Sequence, residues 1–192
     1  MITGVLLAAG RGERFGGDKL NARLPDGRTV AVAAAETMVA SLPRVLAVTR
    51  PGDESLVITL EAAGCHVVVC DRADEGMGAS LACGVAASRA ATGWVIALAD
   101  MPAIRTATVA AIAATLADGA HLAAPTYHGR RGHPVGFAGR LGPELAALGG
   151  DEGARRILAG HQTELECVAV EDTGILYDID TPGDLARSAD DA

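Results

Sequence analysis

The segment Leu6-Leu7-Ala8-Ala9-Gly10-Arg11-Gly12-Glu13-Arg14-Phe15-Gly16-Gly17-Asp18-Lys19 joins an apolar run to a loop rich in glycine. An aliphatic strand that opens straight into glycines is the start expected of an α/β sheet that binds ligands beyond its strand ends. Glycines let backbone amides approach a phosphate chain, and Arg14 and Lys19 add cationic donors within the same few residues. The segment reads as an anion cradle. The competing reading is a flexible surface loop; the two glycine pairs together with Arg14 and Lys19 weigh against it. Two familiar phosphate motifs are excluded. A dinucleotide fingerprint, G-x-G-x-x-G, needs glycine where Phe15 stands, and a Walker A loop needs G-K-[ST] at its end.

Lys19 stands out for a second reason: of the 16 basic residues in the 192-residue chain it is the only lysine, the rest being arginines. A lysine ammonium is a compact charge with rotatable donors, suited to following a triphosphate as it reacts, whereas the arginine fork is rigid. Acidic residues number 24, which leaves a formal net charge of -8. Such a surface repels extended polyanions, so neither nucleic acid nor a membrane is expected as a partner. Aromatic residues make up only 3% of the chain, too few for base-stacking platforms. The four cysteines, Cys65, Cys70, Cys83 and Cys167, form no C-x-x-C pair and read as small core residues in a reducing compartment. The N-terminal apolar run has no basic region before it and falls well short of the roughly 20 residues of a membrane span. A cytoplasmic location, with neither signal peptide nor anchor, is the expectation.

Outward from the cradle, near-continuous apolar runs at 2–8, 45–49, 66–70, 94–99 and 121–124 read as strands covered on both faces. Good helix formers fill 30–41, 55–63, 79–90 and 106–117 between them. This alternation predicts a three-layer αβα fold with a mainly parallel sheet, formed as a single domain over 1–192. Beyond Pro125 the rhythm loosens into a Gly-, His- and Arg-rich loop at 127–133, a strand at 135–138, helical segments at 143–148 and 152–159, a strand at 166–170 and a closing helix from Pro182.

Residues just past strand ends are where such a sheet does its chemistry. The strand at 94–99 runs into Asp100-Met101-Pro102, placing a carboxylate at that edge. Tyr177-Asp178-Ile179-Asp180-Thr181-Pro182 reads as a second acidic strand end, with Asp178 and Asp180 on one face. Two carboxylates from separate segments suit a hard cation such as Mg²⁺ held with substrate phosphates, with Asp100 as one ligand and Asp180 or Asp178 as the other. Asp180 also suits a helix N-cap before Thr181-Pro182. Asp74-Glu75-Gly76-Met77-Gly78-Ala79-Ser80 offers small residues against which a nucleobase can lie, and equally reads as a turn and cap. Arg130, Arg131, His133 and Arg155 read either as a cationic lip for a second, anionic substrate or as solvated loop residues.

Taken together, LLAAGRGERFGGDKL, EGMGASL, ALADMP, GHPVGF, GDEGAR and DIDTPGDL resemble, in order and from Leu6 to Leu185, the MobA-like nucleotidyltransferases. The likeness is strongest to the MocA branch, the molybdenum cofactor cytidylyltransferases. The resemblance implies a Rossmann-like nucleotide-diphospho-sugar transferase fold, an NTP substrate with Mg²⁺, and transfer of a nucleoside monophosphate to a phosphorylated acceptor with release of pyrophosphate. It also implies roles. Leu7, Ala8, Ala9, Gly10, Arg11 and Gly12 would lie against the nucleotide, with Gly78, Ala79 and Ser80 on its other side. Arg14 and Lys19 would hold the triphosphate, and Asp100 and Asp180 the metal; from the cationic lip itself, His133 and Arg155 are the candidates for the acceptor. Leu7-Ala8-Ala9-Gly10, where relatives that use GTP often read L-A-G-G, favours CTP; Gly16-Gly17-Asp18-Lys19 has the spacing of the GTP users. For the MocA branch the acceptor is a phosphorylated pterin, molybdopterin or its molybdenum form, and a molybdoenzyme or cofactor-maturation protein is the implied protein partner.

An acceptor phosphate monoester, with a second pKa of about 6, is already largely a dianion at neutral pH and needs no general base. The absence of a Ser/His/Asp constellation fits such chemistry, which is positioning and charge neutralisation. The rival readings are a guanylyltransferase or a transferase for another phosphorylated acceptor, and a nucleotide-binding chaperone that delivers cofactor without turnover.

Overall fold

The computed structural model of the chain describes residues 1–10, 12 and 15–187. Its centre is a sheet of eight strands: β1 (Ile2–Leu7), β2 (Val45–Thr49), β3 (His66–Val69), β4 (Gly93–Leu98), β5 (Leu122–Tyr127), β6 (Arg130–Arg131), β7 (Val135–Ala138) and β8 (Leu165–Ala169). The order is β3-β2-β1-β4-β7-β5-β6, with β8 also paired to β5. β1 lies parallel to both β2 and β4, with Leu7 opposite Val48 on one side and Leu98 on the other. The cradle therefore leaves the sheet at its middle. The expected mainly parallel sheet is observed, with a departure at β6 and β7: β7 inserts between β4 and β5 antiparallel to both, and β6 pairs antiparallel with β5.

That insertion follows from a turn within the stretch read as a loop at 127–133. His128 and Gly129 both have left-handed φ, 48° and 74°, which is what a two-residue hairpin between twisted strands requires. The chain reverses there, so β5 runs on to Tyr127 and β6 and β7 return beside it.

The helices are α1 (Val30–Ser41), α2 (Glu54–Ala62), α3 (Met77–Ala86), α4 (Thr106–Ala117), α5 (Gly142–Ala146), α6 (Arg155–Gly160) and α7 (Asp184–Arg187). α1 starts where the Thr29 side chain accepts a hydrogen bond from the Val32 amide and ends just before Pro43. Alternation along the strands builds two cores, one on each face of the sheet. Leu6 and Ala47 point to a core with Met38 of α1, Leu60 of α2 and Ile112 of α4. Val5 and Val48 point to the opposite core with Leu81 of α3, Leu145 of α5 and Ile157 of α6. These are the three layers. Cys65 and Cys70 are buried as expected, but Cys167 is exposed on β8, a strand at the sheet margin with three exposed positions of five. Among the described residues, no helix is long and apolar enough to cross a membrane.

Candidate active site

Lys19 opens a short 3-10 turn over Lys19–Asn21, fixed because the next side chain, Leu20, is buried in the core beneath α1. Gly12 and Gly16 both have positive φ, and the Phe15 amide donates to the Gly12 carbonyl, so the loop folds back on itself before the lysine. The ammonium of Lys19 is thereby carried across the end of β4. Its Nζ lies 2.8 Å from Asp100 Oδ2 and 3.3 Å from Asp180 Oδ1. Desolvation works against its charge, but the hydrogen bonds and charges of Asp100 and Asp180 outweigh that and hold its pKa above the usual lysine value.

Asp178 and Asp180 reach this point by a route that differs from the expected strand end. After β8 the chain makes a 3-10 turn over Thr173–Leu176 and then runs extended outside the sheet. The Ile179 amide donates to the Asp100 carbonyl at 2.9 Å, laying the segment against the end of β4, and the Ile179 side chain is fully buried. Asp172, itself 2% exposed, anchors the near end: its carboxylate accepts from the Gly174 amide, the Arg105 amide and the Thr108 hydroxyl. At the far end Asp184 Oδ2 accepts from the Asp180 amide and from both the amide and hydroxyl of Thr181. The helix cap thus belongs to Thr181 and Asp184, in the [ST]-x-x-[DE] pattern, and not to Asp180.

Asp100, Asp178 and Asp180 each offer a carboxylate oxygen, and these oxygens lie within 4.8 Å of one another. Lost hydration and the charge of Asp180 push the Asp178 carboxyl above its usual pKa. Asp100 Oδ1 is buried without a hydrogen-bond partner among the described residues. Three hard oxygen donors, one with an unsatisfied buried oxygen, fit a small divalent cation of the Mg²⁺ or Mn²⁺ kind. His133 sits in the same junction. Its amide donates to the Ile175 carbonyl, and its Nδ1 is buried without a partner among the described residues. Burial lowers its pKa; the Asp100 charge opposes this, and Arg131 and Arg155 reinforce it. His133 is therefore no solvated loop residue, whereas Arg130, Arg131 and Arg155 are exposed.

Along the cradle, Ala8 is buried and its amide is paired to the Val48 carbonyl; Leu7 and Ala9 are half-buried and Gly10 is exposed, with open space where a Cβ would be. Arg11 and Arg14 lie outside the described residues. Gly78, Ala79 and Ser80 are buried at the start of α3, and the Ser80 hydroxyl turns back to the Gly76 carbonyl. The Gly78 amide donates to the Gly150 carbonyl at 2.8 Å. Two motifs that look independent in sequence, EGMGASL and GDEGAR, are in fact packed together. A Cβ at Gly76, where φ is +119°, would meet the Gly150 carbonyl at 2.5 Å.

Asp172 and Asp184 are the positioning residues that motif reading passes over. Asp184 had a signal in Thr181-x-x-Asp184; Asp172 precedes Thr173-Gly174, an Asx-turn pattern too common to single out.

A glycine-rich loop leaving the middle of a doubly covered, mainly parallel sheet, with a lysine and three carboxylates gathered at its mouth, defines the Rossmann-like nucleotide-diphospho-sugar transferase fold. Comparison with known proteins names the family within it. The MobA-like NTP transferase domain matches residues 4–166. The chain is 34% identical to the purine catabolism protein PucB of Bacillus subtilis, over 98% of this chain and 97% of that one. It is 32% identical to the nicotine blue oxidoreductase of Paenarthrobacter nicotinovorans, over 97% and 95%. Among solved structures, Rv0371c of Mycobacterium tuberculosis superposes with a TM-score of 0.85 at 29% identity, covering 98% of this chain and 97% of that one. Its manganese complex superposes at 0.82 and 27%, covering 100% and 99%. A nucleotidyl transferase from Methanothermobacter thermautotrophicus, Mth528, gives 0.82 at 25%, covering 99% and 96%. The chain belongs to the MobA-like NTP transferase family and is a nucleotidyltransferase.

Proposed function

We propose that the protein transfers CMP from CTP to the terminal phosphate of molybdopterin or the molybdenum cofactor, releasing pyrophosphate, with Mg²⁺ as cofactor. The observation that carries the transfer chemistry is the ammonium of Lys19 seated between Asp100 and Asp180 at the mouth of the cradle. The acceptor phosphate attacks the α-phosphorus in line, the new P–O bond forms as the α–β bridge breaks, and pyrophosphate leaves. Lys19 and Arg14 neutralise the triphosphate, together with backbone amides offered by the glycine-rich loop. Asp100 and Asp180, with Asp178 beside them, are the residues that would hold Mg²⁺. Bound there, Mg²⁺ supplies charge neutralisation between two mutually repelling phosphates. His133, within reach of the Asp100 charge, and the exposed Arg155 orient the incoming phosphate.

The choice of CTP is supported by Leu7-Ala8-Ala9-Gly10, and the pterin acceptor by the ordered likeness to the MocA branch. The reading puts the chain in one compartment with its soluble substrates, the cytoplasm, as a single domain over 1–192. A molybdoenzyme or maturation protein would receive the product.

One relative is named an oxidoreductase. Phe15 in place of the third fingerprint glycine argues against carrying hydride transfer over to this chain. Thermal shift with each of four NTPs in Mg²⁺ discriminates the readings. A CTP-only response followed by acceptor-dependent pyrophosphate release supports the proposal; a GTP-only response makes the protein a guanylyltransferase. Binding without pyrophosphate release under any acceptor makes it a chaperone.

A further inference from the structure

The three carboxylates and Lys19 define one seat that two kinds of cation can fill. The ammonium is 2.8 Å from Asp100 and 3.3 Å from Asp180, and these two carboxylates, with Asp178, have ligand oxygens within 4.8 Å of one another. The Lys19 side chain is only 12% exposed, so the ammonium is held inside the cluster and does not reach out over the loop. A divalent cation bound by the same oxygens would stand within a few ångströms of that ammonium, where like charges repel strongly in a partly desolvated site.

We infer that Lys19 is a built-in competitor for the cation seat: without nucleotide it occupies the carboxylates, and a triphosphate draws it away and opens the seat to the divalent ion. The inference rests on the nucleotidyl-transfer reading and adds an order to it. Because coupling between two ligands is reciprocal, nucleotide tightens cation binding by the same factor that cation tightens nucleotide binding. A protein without nucleotide then holds its metal weakly, and metal and NTP enter together. One residue thereby serves two states, neutralising the carboxylates at rest and the phosphates when substrate is bound. Lysine fits this double use, since its single ammonium on a flexible stem can swing between the two anionic partners.

The test titrates Mn²⁺ alone, without nucleotide, against wild type, Lys19→Met, Lys19→Gln and Lys19→Arg, reading free Mn²⁺ by electron paramagnetic resonance, with circular dichroism as the fold control. Removing the ammonium in either neutral variant raises Mn²⁺ affinity about tenfold or more, the scale of ordinary site-to-site coupling. Lys19→Arg, which keeps a competing cation, binds Mn²⁺ as wild type does. Unchanged or weaker Mn²⁺ binding in both folded neutral variants overturns the competition while leaving the transfer reading intact, provided Asp100→Asn abolishes the wild-type binding. Mn²⁺ binding that survives Asp100→Asn, or no binding in any variant, overturns the cation seat itself and the competition with it.

Discussion

Lys19 Nζ and Asp100 Oδ2 lie 2.8 Å apart although 81 residues separate them in the chain. The contact ties the loop after the first strand to the end of the strand beside it, and Asp180 closes it from the far end of the sequence. A composition that otherwise uses arginine for every basic position spends its one lysine here.

Replacing Lys19 by arginine keeps the charge and changes the donor geometry from a rotatable ammonium to a planar fork. Nucleotide transfer by Lys19→Arg falls by about tenfold or more, a loss of about 1.4 kcal/mol of transition-state stabilisation. Initial rates of pyrophosphate release, compared at saturating NTP, check this. Wild-type rates in the variant would mean that any cation suffices.

Asp172 anchors the start of the segment that leads to Asp178 and Asp180. Asp172→Ala leaves the Arg105 and Gly174 amides and the Thr108 hydroxyl without their acceptor. The loss is roughly 3 kcal/mol or more, since each buried unsatisfied group costs about 1–3 kcal/mol. Chemical denaturation measures it. Asp172→Asn, which keeps one acceptor oxygen, falls between the two.

The junction of the 76–78 turn with the 149–153 loop is tested by Gly76→Ala. The methyl group would meet the Gly150 carbonyl at 2.5 Å in a left-handed backbone region that side chains rarely adopt. A cost of about 1–3 kcal/mol from the backbone alone is expected, with the clash added to it. The melting temperature falls accordingly, and the Gly150 loop lifts from α3, seen as faster amide exchange at Gly78.

Where β8 and β5 begin, Glu164 accepts from His161, His121 and Arg140, and these contacts hold its carboxyl down to about 2. His161 is raised above the usual imidazole value by Glu164 and then Glu144. The signs oppose each other. A depressed carboxylate stabilises above its unfolded pKa of about 4.3 and loses that contribution as pH falls toward 2; a raised histidine stabilises below about 6.5 and loses its contribution as pH rises through its folded value. The melting-temperature difference between wild type and Glu164→Gln is therefore greatest between about pH 4.5 and 6.5 and shrinks on both sides. A difference that is flat from pH 3 to 9 would contradict the cluster's role.

Much of this site was legible because its parts sit where local sequence already marks strand ends. Gly10 to Lys19 and Asp100 follow unbroken apolar runs, and an apolar run ending in glycine or in Asp-Met-Pro announces an edge. Asp180 was legible as a carboxylate but not as to its setting: the segment looks like a strand, yet it hydrogen-bonds through Ile179 to the Asp100 carbonyl outside the sheet. The insertion of β7 was hidden because a two-residue hairpin at His128-Gly129 lacks the usual Asn-Gly signal. The burial of Gly78 under Gly150 and the anchoring by Asp172 depend on residues 64 to 72 positions away, and local pattern does not encode such meetings.

Pyrophosphate release by wild type and by Asp100→Ala, in Mg²⁺ with NTP and the phosphorylated pterin acceptor, tests most directly the assignment of nucleotidyl transfer to the carboxylates around Lys19. Wild type turns over, and the variant, with its circular dichroism spectrum unchanged, falls by roughly 10²–10³-fold or to nothing, as loss of a group that stabilises transition-state charge requires. Wild-type turnover retained in Asp100→Ala would contradict the assignment.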